Sequence, residues 1–272
     1  MKNPQFLSIY LFVLTVSVAN AQNGIVEVGA RPASMAYTLA TLHDEWSVFN
    51  NPGALGKQES VMTLFSYENR YGIEGLNNVS AGILAPLPHG VASLGAFRFG
   101  DDLYNEQNIA LGYGNTFGIA SLGVRVNYRQ YALEGFGNRG IVSLDFGGIA
   151  KISEELYFGA FIRNINQAQL SDLQNEKVPT VLNAGCSYQP AEKIVLNAEV
   201  EKDIDLEASF KSGMEYNFLP KFSARTGIRT KPFTNYYGMG FKTWKITIDY
   251  ALTMTQVLGS SHQVSLAYRV SR

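Results

Sequence analysis

Cysteine is nearly absent: Cys186 is alone among 272 residues. That excludes an intrachain disulfide framework and a cysteine-built zinc site. Histidine is almost as scarce. His43, His89 and His262 form no H-x-x-x-H pair, and none stands near Cys186 in the chain, so no metal site is expected. Charge of one sign is missing too. Lys plus Arg number 22 and Asp plus Glu 23, a net charge of -1, which excludes a nucleic-acid partner held by bulk charge. Only 17% of residues are charged and 46% are hydrophobic, so the chain is no acidic disordered tail. Catalytic signatures are lacking: there is no G-x-S-x-G and no P-loop. Residues 135–140, GFGNRG, spell G-x-G-x-x-G, but they lie in a predicted long loop and not between a strand and a helix. The expectation is a non-enzymatic protein without a cofactor.

What is present begins with a leader. Met1-Lys2 is followed by an apolar stretch over 6–19 and by Ala19-Asn20-Ala21, which predicts a signal peptide over 1–21 cleaved before Gln22. Beyond it no run of about 18 apolar residues occurs, so no transmembrane helix is expected. Instead the chain alternates with period two. In residues 120–128, Ala120, Leu122, Val124, Val126 and Tyr128 share one face, and Ser121, Gly123, Arg125 and Asn127 the other. Residues 208–217 and 264–270 repeat the pattern. Successive side chains on a strand point to opposite faces, so each segment is a strand with one apolar and one polar side.

Fourteen such segments centre near 64, 81, 94, 110, 123, 145, 160, 184, 197, 212, 225, 238, 248 and 266. Membrane strands need about 9 to 11 residues, and the spacing accommodates them with short turns between. If the weak segments near 94 and 238 are loops, the number is twelve. Connections near 86–90, 114–117, 151–154, 189–192 and 217–220 read as short. Those near 69–77, 99–106, 129–139, 165–178 and 253–262 read as longer. That segregation predicts an all-β, transmembrane antiparallel barrel of about 14 strands over 58–272, in outer-membrane lipid. Tyr67, Tyr113, Tyr128, Phe158, Tyr188, Tyr216, Tyr250 and Tyr268 sit where an aromatic girdle would lie. Cys186 shares the apolar face of its segment with Leu182, Ala184 and Tyr188, as a small lipid-facing hydrophobe.

Residues 22–57 lack this alternation. They are rich in small residues, with short helices expected over 34–42 and 44–49, and are too apolar for a solvated tail. They read as a hatch that enters or covers the periplasmic end of the barrel. Asp44 suits a helix N-cap, and Asn51-Pro52-Gly53 reads as a turn in which glycine permits a positive φ.

Gly29-Ala30-Arg31, Ala33, Met35, Ala40, Asp44 and Asn51-Pro52-Gly53-Ala54-Leu55 together resemble the opening of PorV/PorQ proteins, within the broad FadL-like barrel group. The usual ending of that pattern is N-P-A-G-L; here Gly and Ala are exchanged. The resemblance implies a fourteen-stranded outer-membrane barrel with an N-terminal hatch. It further implies an accessory role in a larger outer-membrane complex for type IX protein secretion or assembly. The alternative it implies is a FadL-like channel for a small hydrophobic molecule, with Gly147-Gly148 or Gly238 and Gly240 as weak points in the wall.

Charges on the lipid face would be costly, by roughly 2–4 kcal/mol for a Lys or Arg at mid-membrane. Asp145, Glu199, Glu201, Lys211, Glu215, Arg225, Arg229 and Asp249 are therefore expected to point into the lumen. Adjacent strands bring Glu199 and Glu201 toward Lys211, and Glu215 toward Arg225. The mixed signs favour mutual ion pairs over an ion-selective pore.

Overall fold

The computed structural model describes residues 27–135, 137–171, 176–256 and 258–271; the expected leader lies outside them. Fourteen antiparallel strands close a barrel. They are β1 (Val61–Asn69), β2 (Asn77–Leu87), β3 (Gly90–Gly100), β4 (Tyr104–Phe117), β5 (Ala120–Leu133), β6 (Gly137–Lys151) and β7 (Leu156–Arg163), then, after a two-stranded ribbon of β8 (Gln169–Ser171) and β9 (Glu176–Lys177), β10 (Val181–Ala191), β11 (Ile194–Asp203), β12 (Ser209–Leu219), β13 (Phe222–Thr230), β14 (Phe233–Lys242), β15 (Ile246–Thr255) and β16 (Gly259–Ser271). Each strand pairs with its chain neighbour, β7 pairs with β10, and β1 pairs with β16 to close the wall. The segments near 94 and 238 are full strands, so the number is fourteen.

Alternation sorts the side chains as membrane residence requires. Val124, Val126, Leu144, Phe146, Leu182, Val264 and Leu266 are exposed outside, while their neighbours Arg125, Asp145, Asn183 and Ser265 are buried inside. All eight girdle aromatics are exposed, as is Cys186. An apolar belt around a polar interior satisfies both lipid and backbone, since every strand finds partners in a closed ladder.

Several loops are shorter than the sequence suggests. Strand pairing continues through most of 99–106, 129–139 and 253–262, leaving only 101–103, 134–136 and 256–258 as connections. His262 consequently lies within β16. It faces outward, with Nδ1 2.7 Å from the Tyr250 hydroxyl. Ser260 Oγ stands 3.5 Å from its Nε2, the far limit of a hydrogen bond. The long connections at this end of the barrel, the loop mouth, are 70–76 and 164–180. The other end carries the start of β1, the end of β16 and uniformly short turns; it is the termini mouth.

The N-terminal segment lies inside the lumen. It forms α1 (Ala30–Ser34) and two 3-10 turns, η1 (Glu45–Val48) and η2 (Pro52–Lys57). The expected helix over 34–42 is replaced by α1 and a bent stretch in which Ala36 and Tyr37 adopt φ of 57° and 51°. Leu39, Trp46, Val48, Leu55, Met35 and Ala40 are all fully buried.

Room for this segment comes from glycine on the inner wall. A Cβ at Gly159 would lie 1.9 Å from the Ala40 carbonyl oxygen, at Gly123 2.1 Å from that of Pro52, and at Gly147 2.1 Å from Asn51 Oδ1. A Cβ at Gly95 would lie 2.6 Å from the Phe49 ring, at Gly213 2.7 Å from Met35 and at Gly227 2.6 Å from Ala36. These inward glycines come from β3, β5, β6, β7, β12 and β13, a belt against which the hatch rests.

Candidate functional site

The hatch signature residues are the parts that seat the segment. Gly29, at φ 106°, lies under the Trp46 ring, where a Cβ would stand 2.6 Å from it. Asp44 caps η1 by accepting the Trp46 N–H at 3.0 Å. Asn51 caps η2 by accepting the Gly53 N–H at 2.9 Å, and its amide donates to the Ala40 carbonyl at 2.7 Å. The Asn51-Pro52-Gly53 turn is therefore a helix start, with proline at its first position. Gly53 is not at positive φ. It is needed because a Cβ there would stand 2.5 Å from Gly148 Cα on β6. Met35 is buried against Gly213.

Three charged networks tie hatch to wall. In the first, Arg31 bridges Asp44 at 2.8 Å and Glu215 at 2.9 Å; Arg225 then holds Glu215 at 2.5 Å and Asp249 at 2.7 Å. The Arg31 fork takes both Glu215 oxygens, the strong bidentate geometry. In the second, Lys211 stands 2.5 Å from Glu201, 3.3 Å from Glu27 and 3.7 Å from Glu199, and donates to the Tyr37 carbonyl at 3.2 Å. Glu199 in turn accepts the Ala40 N–H at 2.6 Å and the Asn183 amide at 2.7 Å. Arg229 completes this group at 3.5 Å from both Glu27 and Glu201. In the third, Arg125 binds Asp145 at 2.7 Å and donates to the hatch carbonyls of Asn50 at 2.7 Å and Val48 at 3.2 Å.

All eight lumen charges named from the sequence thus face inward and enter these networks. Sequence reasoning missed Arg125 and Glu27 as members, and Arg163, which reaches Glu27 at 3.8 Å. Arg125 was visible on a polar strand face, but its partners are hatch carbonyls that no pattern announces. Among the described residues no group of three His, Cys, Asp or Glu side chains is placed to hold a metal ion.

The hatch divides the lumen into two vestibules. The one at the termini mouth encloses about 580 Å³ and is lined by Arg31, His43, Glu45, Lys57, Lys242 and Arg269 among others. The one at the loop mouth encloses about 380 Å³, between Glu27, Glu68, Arg70, Glu201, Arg229 and Tyr236. Both are polar. At the termini mouth burial, then the neighbouring Asp44 carboxylate, push the Glu45 carboxyl up to about 7. An acid with a raised folded-state pKa favours the folded state while it is protonated. This contribution of Glu45 is present near the usual carboxylate range and is lost as pH rises through about 7. Amide exchange across residues 45–48, corrected for intrinsic rates, should be faster at about pH 8 than at about pH 5. Glu45→Gln should flatten that difference.

Among the described residues the wall has one seam where strand pairing stops. β6 pairs with β7 only from Phe146↔Ile162 to Lys151↔Tyr157. Above this, β6 continues to Gly137 while β7 ends at Arg163. The 164–180 connection covers the exposed edge: Ile165 N–H donates to the Leu144 carbonyl at 2.8 Å, and Asn166 bonds the Leu144 N–H at 2.8 Å and the Val142 carbonyl at 3.0 Å. Behind the seam Tyr131, Ile141 and Val178 form a buried apolar cluster, with Tyr104, Ala168 and Leu170 packed against it. The glycine pairs proposed as weak points do not interrupt the ladder: Gly147 and Gly148 pair with Phe161 and Ala160, and Gly238 and Gly240 with Ala251 and Asp249.

No protein-family model matches the sequence, and no curated protein matches it. Solved structures do match in fold. The Ralstonia pickettii toluene transporter TbuX superposes with a TM-score of 0.68 at 11% identity, covering 90% of this chain and 99% of that one. The Pseudomonas putida toluene transporter TodX gives a TM-score of 0.69 at 11% identity, over 89% and 97%. A Pseudomonas aeruginosa FadL homologue gives 0.62 at 11% identity, over 90% and 99%. The chain therefore has the fold of the FadL-like outer-membrane proteins, a closed fourteen-stranded barrel preceded by a short helical segment.

Proposed function

We propose that the chain is a passive outer-membrane channel for small hydrophobic solutes, exported behind its leader and inserted with the termini mouth toward the periplasm. The observation that carries this reading is the seam between β6 and β7, backed by the apolar cluster of Tyr131, Ile141 and Val178. A polar, plugged lumen gives an apolar solute no straight path. A wall segment made of a connection can part without breaking the strand ladder, and it leads from an apolar surface to the lipid. The similarity of fold to solved toluene transporters supports the same reading.

The test is uptake of a labelled monoaromatic hydrocarbon by cells carrying the protein. Asn166→Ala removes two of the bonds that close the seam and should raise the uptake rate. Ile141→Arg places a charge in the apolar cluster and should reduce uptake to the level of cells without the protein. Unchanged uptake in both variants, with each barrel correctly inserted, would defeat the channel reading.

An accessory role in a larger outer-membrane complex for type IX secretion is the second reading. It is favoured by the filled lumen: the signature residues Gly29, Arg31, Met35, Asp44, Asn51, Pro52 and Gly53 all help to lock the hatch in place. Accumulation of secreted proteins on loss of the chain, with hydrocarbon uptake unaltered, would favour it.

A further inference from the structure

A small cavity beside the seam carries more positive charge than its own carboxylate neutralises. It is lined by Arg125, Arg129, Arg163, Asn127, Asn164 and Asp145, with Val178 among its other neighbours. Arg125 and Asp145 satisfy each other at 2.7 Å, and the second Asp145 oxygen accepts the Asn164 N–H at 2.9 Å. That accounts for one cation and the one carboxylate.

Arg129 and Arg163 remain. Arg163 is 7% exposed, and none of its three guanidinium nitrogens makes a hydrogen bond. Phe161 meets one face of its guanidinium at 5.1 Å, which leaves the in-plane N–H groups free to donate. Among the described residues the one carboxylate within ion-pair reach is Glu27, at 3.8 Å. Glu27 already serves Lys211 at 3.3 Å and Arg229 at 3.5 Å, so one carboxylate is shared by three cations. Arg129 makes no ion pair among the described residues. It donates once, to the Tyr131 hydroxyl at 3.2 Å, and its Nε is unpartnered. Glu106, inward-facing on β4 opposite Tyr131, accepts the Tyr104 hydroxyl at 2.8 Å and also makes no ion pair there.

Two buried guanidiniums with idle donors around one cavity are costly unless something compensates them. We propose that the cavity is a binding site for a single monatomic anion of chloride size, held by Arg163 and Arg129. Size decides the class. The cavity measures about 20 Å³, room for one water-sized body and too small for a phosphate, a sulfate or a carboxylate-bearing solute. A water would take up some of the idle N–H groups but would leave Arg163 with only a share of Glu27 and Arg129 without an ion pair among the described residues. A halide accepts several N–H bonds from different directions and supplies the missing charge. Asn164 and Val178 line the same cavity, so the anion would also fasten both ends of the 164–180 connection to the wall. This inference stands apart from the transport reading and needs no solute.

Crystals of the detergent-solubilised protein grown in sodium bromide provide the test, with diffraction recorded at the bromine absorption edge. The expected result is one anomalous peak within hydrogen-bond reach of both Arg163 and Arg129, lost in Arg163→Gln. In solution, the thermal midpoint should be higher in sodium bromide than in sodium gluconate at equal ionic strength, and Arg163→Gln and Arg129→Gln should each erase that difference. Gluconate is too large for the cavity and serves as the matched control. Absence of a peak in the cavity of the wild-type protein would overturn the proposal. So would a bromide effect that survives both substitutions.

Discussion

Gly159→Val should turn a closed barrel into a conducting one. The glycine faces the hatch so closely that a Cβ would stand 1.9 Å from the Ala40 carbonyl oxygen and 2.6 Å from its carbon. Both are backbone atoms and cannot rotate aside. Valine suits a strand, and β7 keeps all its partners on β6 and β10, so the wall can still form. The hatch is then the part that must move. Its displacement also pulls the Ala40 carbonyl from Asn51 and the Ala40 N–H from Glu199, two bonds that seat the segment. In planar bilayers the wild-type protein should pass little current, because the hatch and its ion pairs fill the waist of the lumen. The variant should approach the conductance of a chain lacking residues 22–57. A variant as silent as the wild type would mean that the hatch yields locally and still seals the barrel.

The barrel was legible in the sequence for a simple reason: lipid outside and polar side chains inside impose opposite demands on successive residues. The same reasoning located Glu199, Glu201, Lys211, Glu215 and Arg225, because a charge on a membrane strand has one tolerable side. It faltered where the constraint lapses. Above the lipid, Gln130, Asn138, Arg139 and Ser260 are polar without regard to face, so the alternation fades while the hydrogen-bonded ladder runs on. His262 was misplaced into a loop for that reason. Glycine shows a different limit: Gly95, Gly123, Gly147, Gly159, Gly213 and Gly227 lie within strands. What they have in common is the hatch pressed against them, a tertiary contact with no local signature. The path of the hatch was hidden likewise, since its conformation is set by the wall around it and not by any periodicity of its own.

Lys211→Met should be among the most damaging single substitutions in the chain. The lysine is fully buried and stands within 4 Å of Glu27, Glu199 and Glu201. Removing the cation leaves carboxylates packed together in the lumen, with Arg229 at 3.5 Å from Glu27 and Glu201, and Arg163 at 3.8 Å from Glu27, as the remaining partners. Breaking a buried ion pair by deleting one member typically costs about 3–5 kcal/mol. The loss spreads into the hatch, because Lys211 also holds the Tyr37 carbonyl and Glu199 holds the Ala40 N–H. Guanidinium unfolding in detergent would measure it as a lower midpoint. The origin of the damage can be isolated: if uncompensated charge is the cause, Glu199→Gln and Glu201→Gln added to Lys211→Met should restore much of the midpoint, although each removes a further native group. Such non-additivity is the mark of groups acting as one network. If the triple variant were no more stable than Lys211→Met, uncompensated charge would not be the dominant effect. The ion pairs would then be passengers in a lumen held shut by the fit of the hatch against the glycine belt.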